Sequence, residues 1–199
     1  MKKLFIIFLL AFCVPAFASF DITGGQGYGS FRLAGAGNTK AASLMYAGIR
    51  FSRYIELRYM SLDTSIRMPV LPFRLFDVNY NKRTEGGFTK YTSYDSDVFG
   101  LNFSLPINDV WSISAIYGLG RSKITEVTEK GAGENDLATI HRGLVQLVDI
   151  HTSMCFKWGE FFLVSPTVGF MMHFLDNKSN YSNAASIYGA VTVSYLLKK

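Results

Sequence analysis

The chain has 199 residues, of which 49% are hydrophobic and 15% aromatic, including 17 Phe and 11 Tyr. Its formal net charge of +5 is mild and no dense run of Lys or Arg occurs, so nucleic-acid binding has no support. With only two cysteines, one of them at position 13, the later part of the chain cannot contain an internal disulfide framework.

The first residues predict a secretory signal peptide. Two lysines are followed by a short apolar run over residues 4–14 and by an Ala-Phe-Ala cleavage signal that ends at Ala18. The run is too short for a membrane-spanning helix, which needs about 20 residues. We expect cleavage after Ala18, so that residues 1–18 are the leader and residues 19–199 form one domain. Lipoprotein processing before Cys13 is the alternative, and the bulky residue that precedes this cysteine disfavours it.

Beyond the leader, bulky apolar side chains alternate with small or polar ones, which is the period-two pattern of β-strands. In residues 97–105, for example, Phe99 and Leu101 fall on one face while Asn102 and Ser104 fall on the other. The pattern predicts eight strands, at about residues 22–34, 43–51, 54–61, 97–105, 111–120, 148–158, 162–174 and 187–197.

The predicted connections alternate between short and long. The short ones lie at 52–53, 106–109 and 159–160, and the longer ones at 35–41, 62–96, 123–141 and 176–185. All short turns would then lie at one end of an up-and-down meander, as they do in outer-membrane barrels. Additional strands within 62–96 would raise the count to ten.

The character of the two faces indicates which one meets lipid. An eight-stranded barrel has a lumen just wide enough for side chains to fill it, and a charge that faces lipid near mid-membrane costs about 2–4 kcal/mol. We therefore expect the bulky face to point outward and the small, polar and charged face inward. The charged and polar side chains on the inward face predict an interior network of Arg32, Arg50, Glu56, Arg58, Asp149, His151 and Lys157. Trp111 and Trp158 adjoin short turns, where interface aromatics are expected.

The leader, the eight alternating strands and the final strand Val191-Thr-Val-Ser-Tyr195 together resemble the small OmpA/OmpX-type outer-membrane barrels. The resemblance is one of architecture and covers residues 19–199. It implies an all-β, antiparallel, up-and-down transmembrane β-barrel with a porin-like fold, both termini periplasmic and four surface loops. It also implies a monomer in the bacterial outer membrane that contacts lipid and lipopolysaccharide and is inserted by the barrel-assembly machinery. No cofactor, metal or nucleic acid is expected. A soluble periplasmic ligand-binding barrel is an alternative, and a narrow pore is disfavoured because eight strands enclose little free space.

The expected role is non-enzymatic: a structural or adhesion-like surface-interaction protein that works through its extracellular loops, chiefly residues 62–96. In that segment the candidates for contact with an extracellular protein or surface are Phe73, Arg74, Phe76 and Tyr80, since loops on a rigid scaffold tend to carry recognition. The alternative is a lipid A-modifying hydrolase that uses His151 and Ser153, which share a strand face. This pair resembles the His-x-Ser of outer-membrane lipid A deacylases, although Met154 stands where those enzymes have Asn.

Overall fold

The computed structural model describes residues 21–35, 39–64, 83–85, 88–129, 137–176 and 181–197. These residues form ten strands, which are β1 Asp21–Leu33, β2 Thr39–Arg50, β3 Ile55–Asp63, β4 Arg83–Glu85, β5 Phe88–Pro106, β6 Trp111–Glu129, β7 Leu137–Met154, β8 Phe156–Trp158, β9 Phe162–Asp176 and β10 Asn183–Leu196. No helix in the described ranges is long and apolar enough to cross a membrane.

Eight of the strands close into an antiparallel barrel. Consecutive barrel strands pair with each other, and the last strand, β10, pairs with β1 from Asp21↔Leu196 to Leu33↔Ala184. The two remaining strands have three residues each: β4 pairs only with β5, and β8 continues β7 beyond Cys155 and pairs with β9. The predicted eight-stranded up-and-down barrel is therefore confirmed, and β4 is not one of the strands that form its wall.

The ends of the barrel differ as predicted. Short turns at 51–54, 107–110 and 159–161 join strands at one end, called here the turn end. At the opposite end, called the loop end, β5, β6 and β7 run much further than expected. The segments 62–96 and 123–141 were predicted as connections, but most of 88–96, 123–129 and 137–141 is paired strand. The alternation disappears there because polar side chains occupy both faces, while backbone pairing continues.

The outer face of the barrel is bulky and apolar, as the alternation predicts. Exposed side chains on it include Phe99, Leu101, Phe103, Ile113, Leu119, Ile150, Val168, Phe170, Ile187 and Val191. Their strand neighbours point inward and are buried, among them Asn102, Ser114, Thr167 and Thr192. An apolar outer face around a closed barrel suits lipid, because closure leaves no free strand edge in the hydrocarbon.

The lumen has two layers, which corrects the expectation of a uniformly small and polar interior. Its turn-end half contains buried Ser, Thr and charged side chains. Its loop-end half is filled by an apolar core that includes Phe31, Leu33, Leu44, Met60, Leu62, Tyr94, Val98, Ile124, Val145, Leu147 and Met171. Large side chains therefore close the interior of the barrel beneath the loops.

Two glycines make room for large rings inside the narrow lumen. A Cβ atom at Gly25 of β1 would lie 2.4 Å from Cζ of Tyr46, and one at Gly169 of β9 would lie 2.6 Å from Cζ of Tyr188. Each tyrosine ring thus lies directly against bare backbone. The glycine-rich start of β1 permits this close packing, at the cost of the weaker strand preference of glycine.

Candidate functional site

The most highly connected polar group in the lumen is the carboxylate of Glu56, which is 1% exposed. Arg58 follows two residues later on the same face of β3, so its guanidinium can reach the carboxylate. Arg58 Nε donates to Glu56 Oε1 at 3.0 Å and Nη2 donates to Oε2 at 2.9 Å. Thr23 Oγ1 donates to Oε1 at 2.6 Å and Asn102 Nδ2 donates to Oε2 at 3.2 Å. Arg50 Nη2 lies 3.7 Å from Oε2. The buried carboxylate is therefore fully satisfied, as a charge in a low-dielectric site must be.

The guanidinium of Arg58 is held on a second side by an aromatic ring. Its Cζ lies 4.7 Å from the centroid of Tyr46. The hydroxyl of Tyr46 shares a hydrogen bond with that of Thr192 on β10, and Gly25 supports the ring from below. This arrangement joins strands on opposite sides of the barrel through one ion pair, and cation–π contact adds to the Coulombic attraction.

A second buried pair lies on β7. Asp149 and His151 are two residues apart, so both side chains point inward, and His151 Nδ1 lies 2.5 Å from Asp149 Oδ1. Asp149 Oδ2 has no hydrogen-bond partner among the described atoms. Sequence reasoning missed Asp149 as the acid that orients His151, although the two-residue spacing in a strand was the available signal.

The predicted nucleophile is not joined to this pair. Ser153 Oγ bonds to Ser112 Oγ across the β6–β7 ladder at 2.9 Å. His151 is itself only 4% exposed inside the barrel, away from the lipid-facing surface. An acid–histidine pair without a coupled serine can orient a proton, but it does not make an activated nucleophile.

The predicted interior network divides into members that the lumen holds and two that it does not. Glu56, Arg58, Asp149 and His151 are buried and bonded as described, while the side chain of Arg50 remains 22% exposed near the turn end. Arg32 and Lys157 are exposed, so their predicted inward placement is wrong. Arg32 points outward because its neighbours Phe31 and Leu33 fill the lumen. Lys157 belongs to β8, after the break at Cys155, below the packed interior.

Aromatic side chains surround the turn end. Trp111 and Trp158 are both exposed there, next to short turns, together with Phe156, Phe162 and Tyr195. Phe162 and Tyr195 pack with ring centroids 5.4 Å apart. The loop candidates Phe73, Arg74, Phe76 and Tyr80 lie outside the described residues.

A buried cluster closes the loop end of the lumen. Tyr94 Oη lies 2.6 Å from His173 Nδ1, and both residues are fully buried. Phe31 stacks on Tyr94 with centroids 4.8 Å apart. Thr64 Oγ1 accepts from the backbone N–H of Tyr94 at 2.7 Å. Sequence reasoning missed Tyr94, because it assigned 62–96 to a loop.

From the level of this cluster outward, β5, β6 and β7 continue as a paired ribbon, called here the β5–β7 ribbon and made of residues 88–96, 121–129 and 137–143. Tyr181, in the β9–β10 connection, donates to Glu126 Oε1, and His141 Nε2 lies 3.6 Å from Glu126 Oε2. Burial and the Glu126 hydrogen bond raise the pKa of Tyr181 to about 12. His141 thus belongs to a strand rather than to the predicted loop. The ribbon also exposes two large apolar side chains near its tip, Leu137 (59%) and Ile140 (50%).

The described part of the chain contains no group of three or more His, Cys, Asp or Glu side chains that could hold a metal ion.

Comparison with known proteins gives resemblance at the level of fold. No protein-family model matches the chain, and no curated protein matches it. Similar solved structures include Neisserial surface protein A, with 9% identity, 88% of this chain and 96% of that chain covered and a TM-score of 0.49. Ail, the attachment invasion locus protein of Yersinia pestis, has 11% identity, coverage of 90% and 98% and a TM-score of 0.49. A major outer membrane protein from Thermus thermophilus has 7% identity, coverage of 89% and 99% and a TM-score of 0.49.

The architecture itself rests on the geometry of this chain. Its strands form a closed antiparallel meander, its outer face is apolar and its interior is filled by side chains, as an eight-stranded transmembrane barrel requires. The protein therefore has the fold of the small OmpA/OmpX-type outer-membrane β-barrels.

Proposed function

We propose that this protein is a non-enzymatic outer-membrane barrel that holds a rigid β-ribbon at the cell surface for contact with an external partner. The observation that carries the proposal is the length of β5, β6 and β7. On β6 the exposed large apolar side chains of the outer face end at Leu119, yet the strand continues from Arg121 to Glu129. At about 3.3 Å per residue, these nine residues extend roughly 30 Å along the strand beyond the apolar band.

The base of the ribbon is fixed to the barrel. The backbone N–H of Thr64 donates to the carbonyl of Tyr94, and the Tyr94 N–H donates to Thr64 Oγ1, so the end of β3 is tied to β5. The bond from Tyr181 to Glu126 ties the β9–β10 connection to β6. A ribbon held in this way presents its surface in one orientation, which lowers the entropic cost of binding.

The tip of the ribbon has the chemistry of a contact surface. Leu137 and Ile140, which are 59% and 50% exposed, both lie above the level of the lipid-facing band. Burying such a side chain against a partner contributes about 1.5–3 kcal/mol. The short strand β4, which pairs with the start of β5, places residues 83–85 beside the same ribbon. The surface role expected of 62–96 is therefore assigned to the ribbon and its neighbouring segments together.

The filled lumen favours a role as a structural scaffold and disfavours a role as a channel. The apolar core and the buried Tyr94–His173 pair occupy the loop-end half of the interior. Export through a leader cut after Ala18, followed by insertion with the aid of the barrel-assembly machinery, is part of the same proposal.

Surface display tests the proposed role. The full-length protein is expressed in a non-adherent Gram-negative host, and attachment of the cells to epithelial monolayers and to immobilised matrix proteins is counted. We expect attachment above the empty-vector strain, and its loss in the L137S/I140S variant. Ile107→Ser, a similar change at an exposed apolar position of the opposite, turn end, should attach like the original protein. No attachment by the original protein, or full attachment by L137S/I140S, would contradict the proposal.

One observation favours the hydrolase alternative, namely the close Asp149–His151 contact. Mass spectrometry of lipid A from cells with and without the protein tests it directly. We expect identical spectra, because Ser153 bonds to Ser112 and the pair lies inside the barrel. A loss of acyl chains that Ser153→Ala abolishes would establish the hydrolase instead.

A further inference from the structure

The outward side of β1 differs from the outer face on the opposite side of the barrel. Thr23, Gly27 and Phe31 are buried, so the residues at even positions between them point outward. These outward residues, called here the β1 face, are Gly24, Gln26, Tyr28 and Ser30. On β6, four strands away in either direction around the barrel, the corresponding outward residues are Ile113, Ala115, Tyr117 and Leu119. One side of the wall is therefore small and polar where the other is mostly apolar.

Gln26 lies well inside the lipid-facing band. It is five residues from the turn-end start of β1, whereas on β6 the exposed large apolar side chains extend from Trp111 at the strand start to Leu119, eight residues further on. Its cross-strand partners, Met45 on β2 and Val191 on β10, are apolar and are 57% and 49% exposed. A carboxamide at this depth is surrounded by hydrocarbon, where a polar group without a hydrogen-bond partner is costly.

The hydrogen-bonding capacity of the β1 face is only partly satisfied within the chain. Gln26 Nε2 donates to the hydroxyl oxygen of Tyr28 at 2.5 Å, and no other described residue bonds to either side chain. This bond leaves the amide oxygen and the second amide hydrogen of Gln26, and the hydroxyl hydrogen of Tyr28, without a protein partner. Acyl chains offer neither donors nor acceptors. The matching surface is therefore one that carries polar groups at the same depth.

Small residues around Gln26 and Tyr28 leave the wall open to close approach. A Cβ atom at Gly24 would lie 3.9 Å from its nearest neighbour, and one at Gly189 of β10 would lie 4.0 Å from its nearest. Ala47 of β2, an exposed residue, is the cross-strand partner of Gly24. An open recess of about 410 Å³ lies beside Gln26, Tyr28 and Gly189. Between membrane helices, small residues allow close contact and polar side chains bond across it, and the same physics applies to barrel walls.

We propose that the β1 face is the contact surface of a homodimer within the membrane, where it meets the β1 face of a second copy of this chain. Two copies inserted in the same orientation are related by a twofold axis along the membrane normal, so each residue lies at the same depth as its equivalent. A carboxamide has both donors and an acceptor, so two Gln26 side chains bond to each other reciprocally. A second copy thus supplies the missing polar groups at the required depth.

This homodimer replaces the monomer that the resemblance to small barrels implied. The contact involves the barrel wall and not the ribbon tip, so it stands or falls independently of the proposed surface role.

Self-association in lipid vesicles tests the proposal. The mature protein is labelled with donor or acceptor fluorophores at Asp109→Cys in a Cys155→Ser background and reconstituted in phosphatidylcholine vesicles over a range of protein-to-lipid ratios. We expect saturable energy transfer that an excess of unlabelled protein abolishes. Gln26→Leu should raise the ratio at half-maximal transfer about tenfold, since it removes hydrogen bonds from both copies. The matched control is Gln146→Leu, which changes an exposed outward glutamine of β7 and should leave the ratio unchanged.

Two further variants locate the contact. Gly189→Leu adds an apolar side chain that suits lipid and has room in the single barrel, but it fills the recess that the second copy would approach, so it should also weaken self-association about tenfold. Gly24→Cys in the Cys155→Ser background should form a disulfide-linked dimer on oxidation. Ala115→Cys, a small exposed position on the opposite strand β6, should remain uncrosslinked.

Three outcomes would overturn the proposal. The first is the absence of saturable energy transfer for the original protein at every ratio. The second is unchanged transfer in either Gln26→Leu or Gly189→Leu. The third is cross-linking of Ala115→Cys at least as extensive as that of Gly24→Cys, which would place the contact elsewhere on the wall. The heat-dependent gel mobility of each variant confirms that the barrel is folded, and Tyr28→Phe, which removes one hydroxyl, serves if Gln26→Leu does not fold.

Discussion

Replacing Glu56 by Gln tests the buried ion pair at the centre of the lumen. The carboxylate accepts four hydrogen bonds, two from Arg58 and one each from Thr23 and Asn102. A glutamine whose oxygen takes the Oε1 position keeps the bonds from Thr23 and Arg58 Nε. Its amide group then faces two other donors, Arg58 Nη2 and Asn102 Nδ2. In addition, the guanidinium of Arg58, which is only 5% exposed, loses its counter-charge.

Breaking a buried pair from one side costs about 3–5 kcal/mol, and because half of the contacts survive we expect about 3 kcal/mol. The assay is urea unfolding in phospholipid vesicles, followed by the emission of Trp111 and Trp158, whose interface positions make them sensitive to unfolding. Asp109→Asn, the same chemical change in an exposed turn, should alter the free energy of unfolding by less than about 0.5 kcal/mol. The E56Q/R58M double variant should be more stable than E56Q alone, because it removes the uncompensated charge. A cost for E56Q below about 1 kcal/mol, or strict additivity in the double variant, would refute the reasoning.

Three further predictions follow from the lumen and the ribbon. Gly25→Val should cost about 1–3 kcal/mol in the same unfolding assay, since it pushes on the Tyr46 ring, whereas Gly24→Ala meets nothing closer than 3.9 Å and should be tolerated. Tyr181 should ionise near pH 12 rather than near pH 10, as measured by the difference in tyrosinate absorbance between the original protein and Tyr181→Phe. Because its folded pKa is raised, its contribution to loop docking is complete below about pH 10 and is lost as the pH rises toward 12; a normal titration would disprove the Glu126 contact. Planar-bilayer recordings should show no conductance steps, because the apolar core fills the lumen, and stable single-channel currents would contradict that description.

The strands within lipid could be predicted from the sequence because their two faces meet different surroundings, hydrocarbon on the outside and the narrow lumen on the inside. Bulky residues such as Phe99 and Leu101 must meet hydrocarbon, while Asn102 and Ser104 fit the narrow interior, and the contrast gives a clear period of two. Above the lipid, the outward face of β5 carries Asp95 and Asp97 and is no longer apolar, while the inward Tyr94 is buried. The contrast then vanishes, so residues 88–96 were mistaken for a loop although their pairing continues.

The same reasoning explains the two misplaced charges. A rule that sends charged side chains into the lumen holds only at the depth of the hydrocarbon. Arg32 lies near the loop end and Lys157 lies beyond the break at Cys155, near the turn end, so each can face outward without the cost of burial in lipid. On β1, Phe31 and Leu33 point into the lumen, and Arg32 between them points outward.

Side-chain contacts between strands that are distant in the sequence could not be predicted from the sequence. The pairing of Tyr94 with His173 spans 79 residues, and the bond between Tyr46 and Thr192 spans 146. Both depend on the register and closure of the whole barrel, which no local pattern encodes. By contrast, the Asp149–His151 and Glu56–Arg58 pairs follow from two-residue spacing on one strand face, although the sequence analysis predicted all four residues only as members of one interior network.

The direction in which the two faces of a strand point is the most direct test of the account. Single spin labels are placed at residues 191, 192, 193 and 194 of β10 in a Cys155→Ser background, and the protein is reconstituted in lipid vesicles. Collision with oxygen, which concentrates in hydrocarbon, should be high at Val191 and Val193 and low at Thr192 and Ser194. High accessibility to oxygen at Thr192 and Ser194, with Val191 and Val193 protected, would show that the bulky face is the interior and would contradict a membrane barrel.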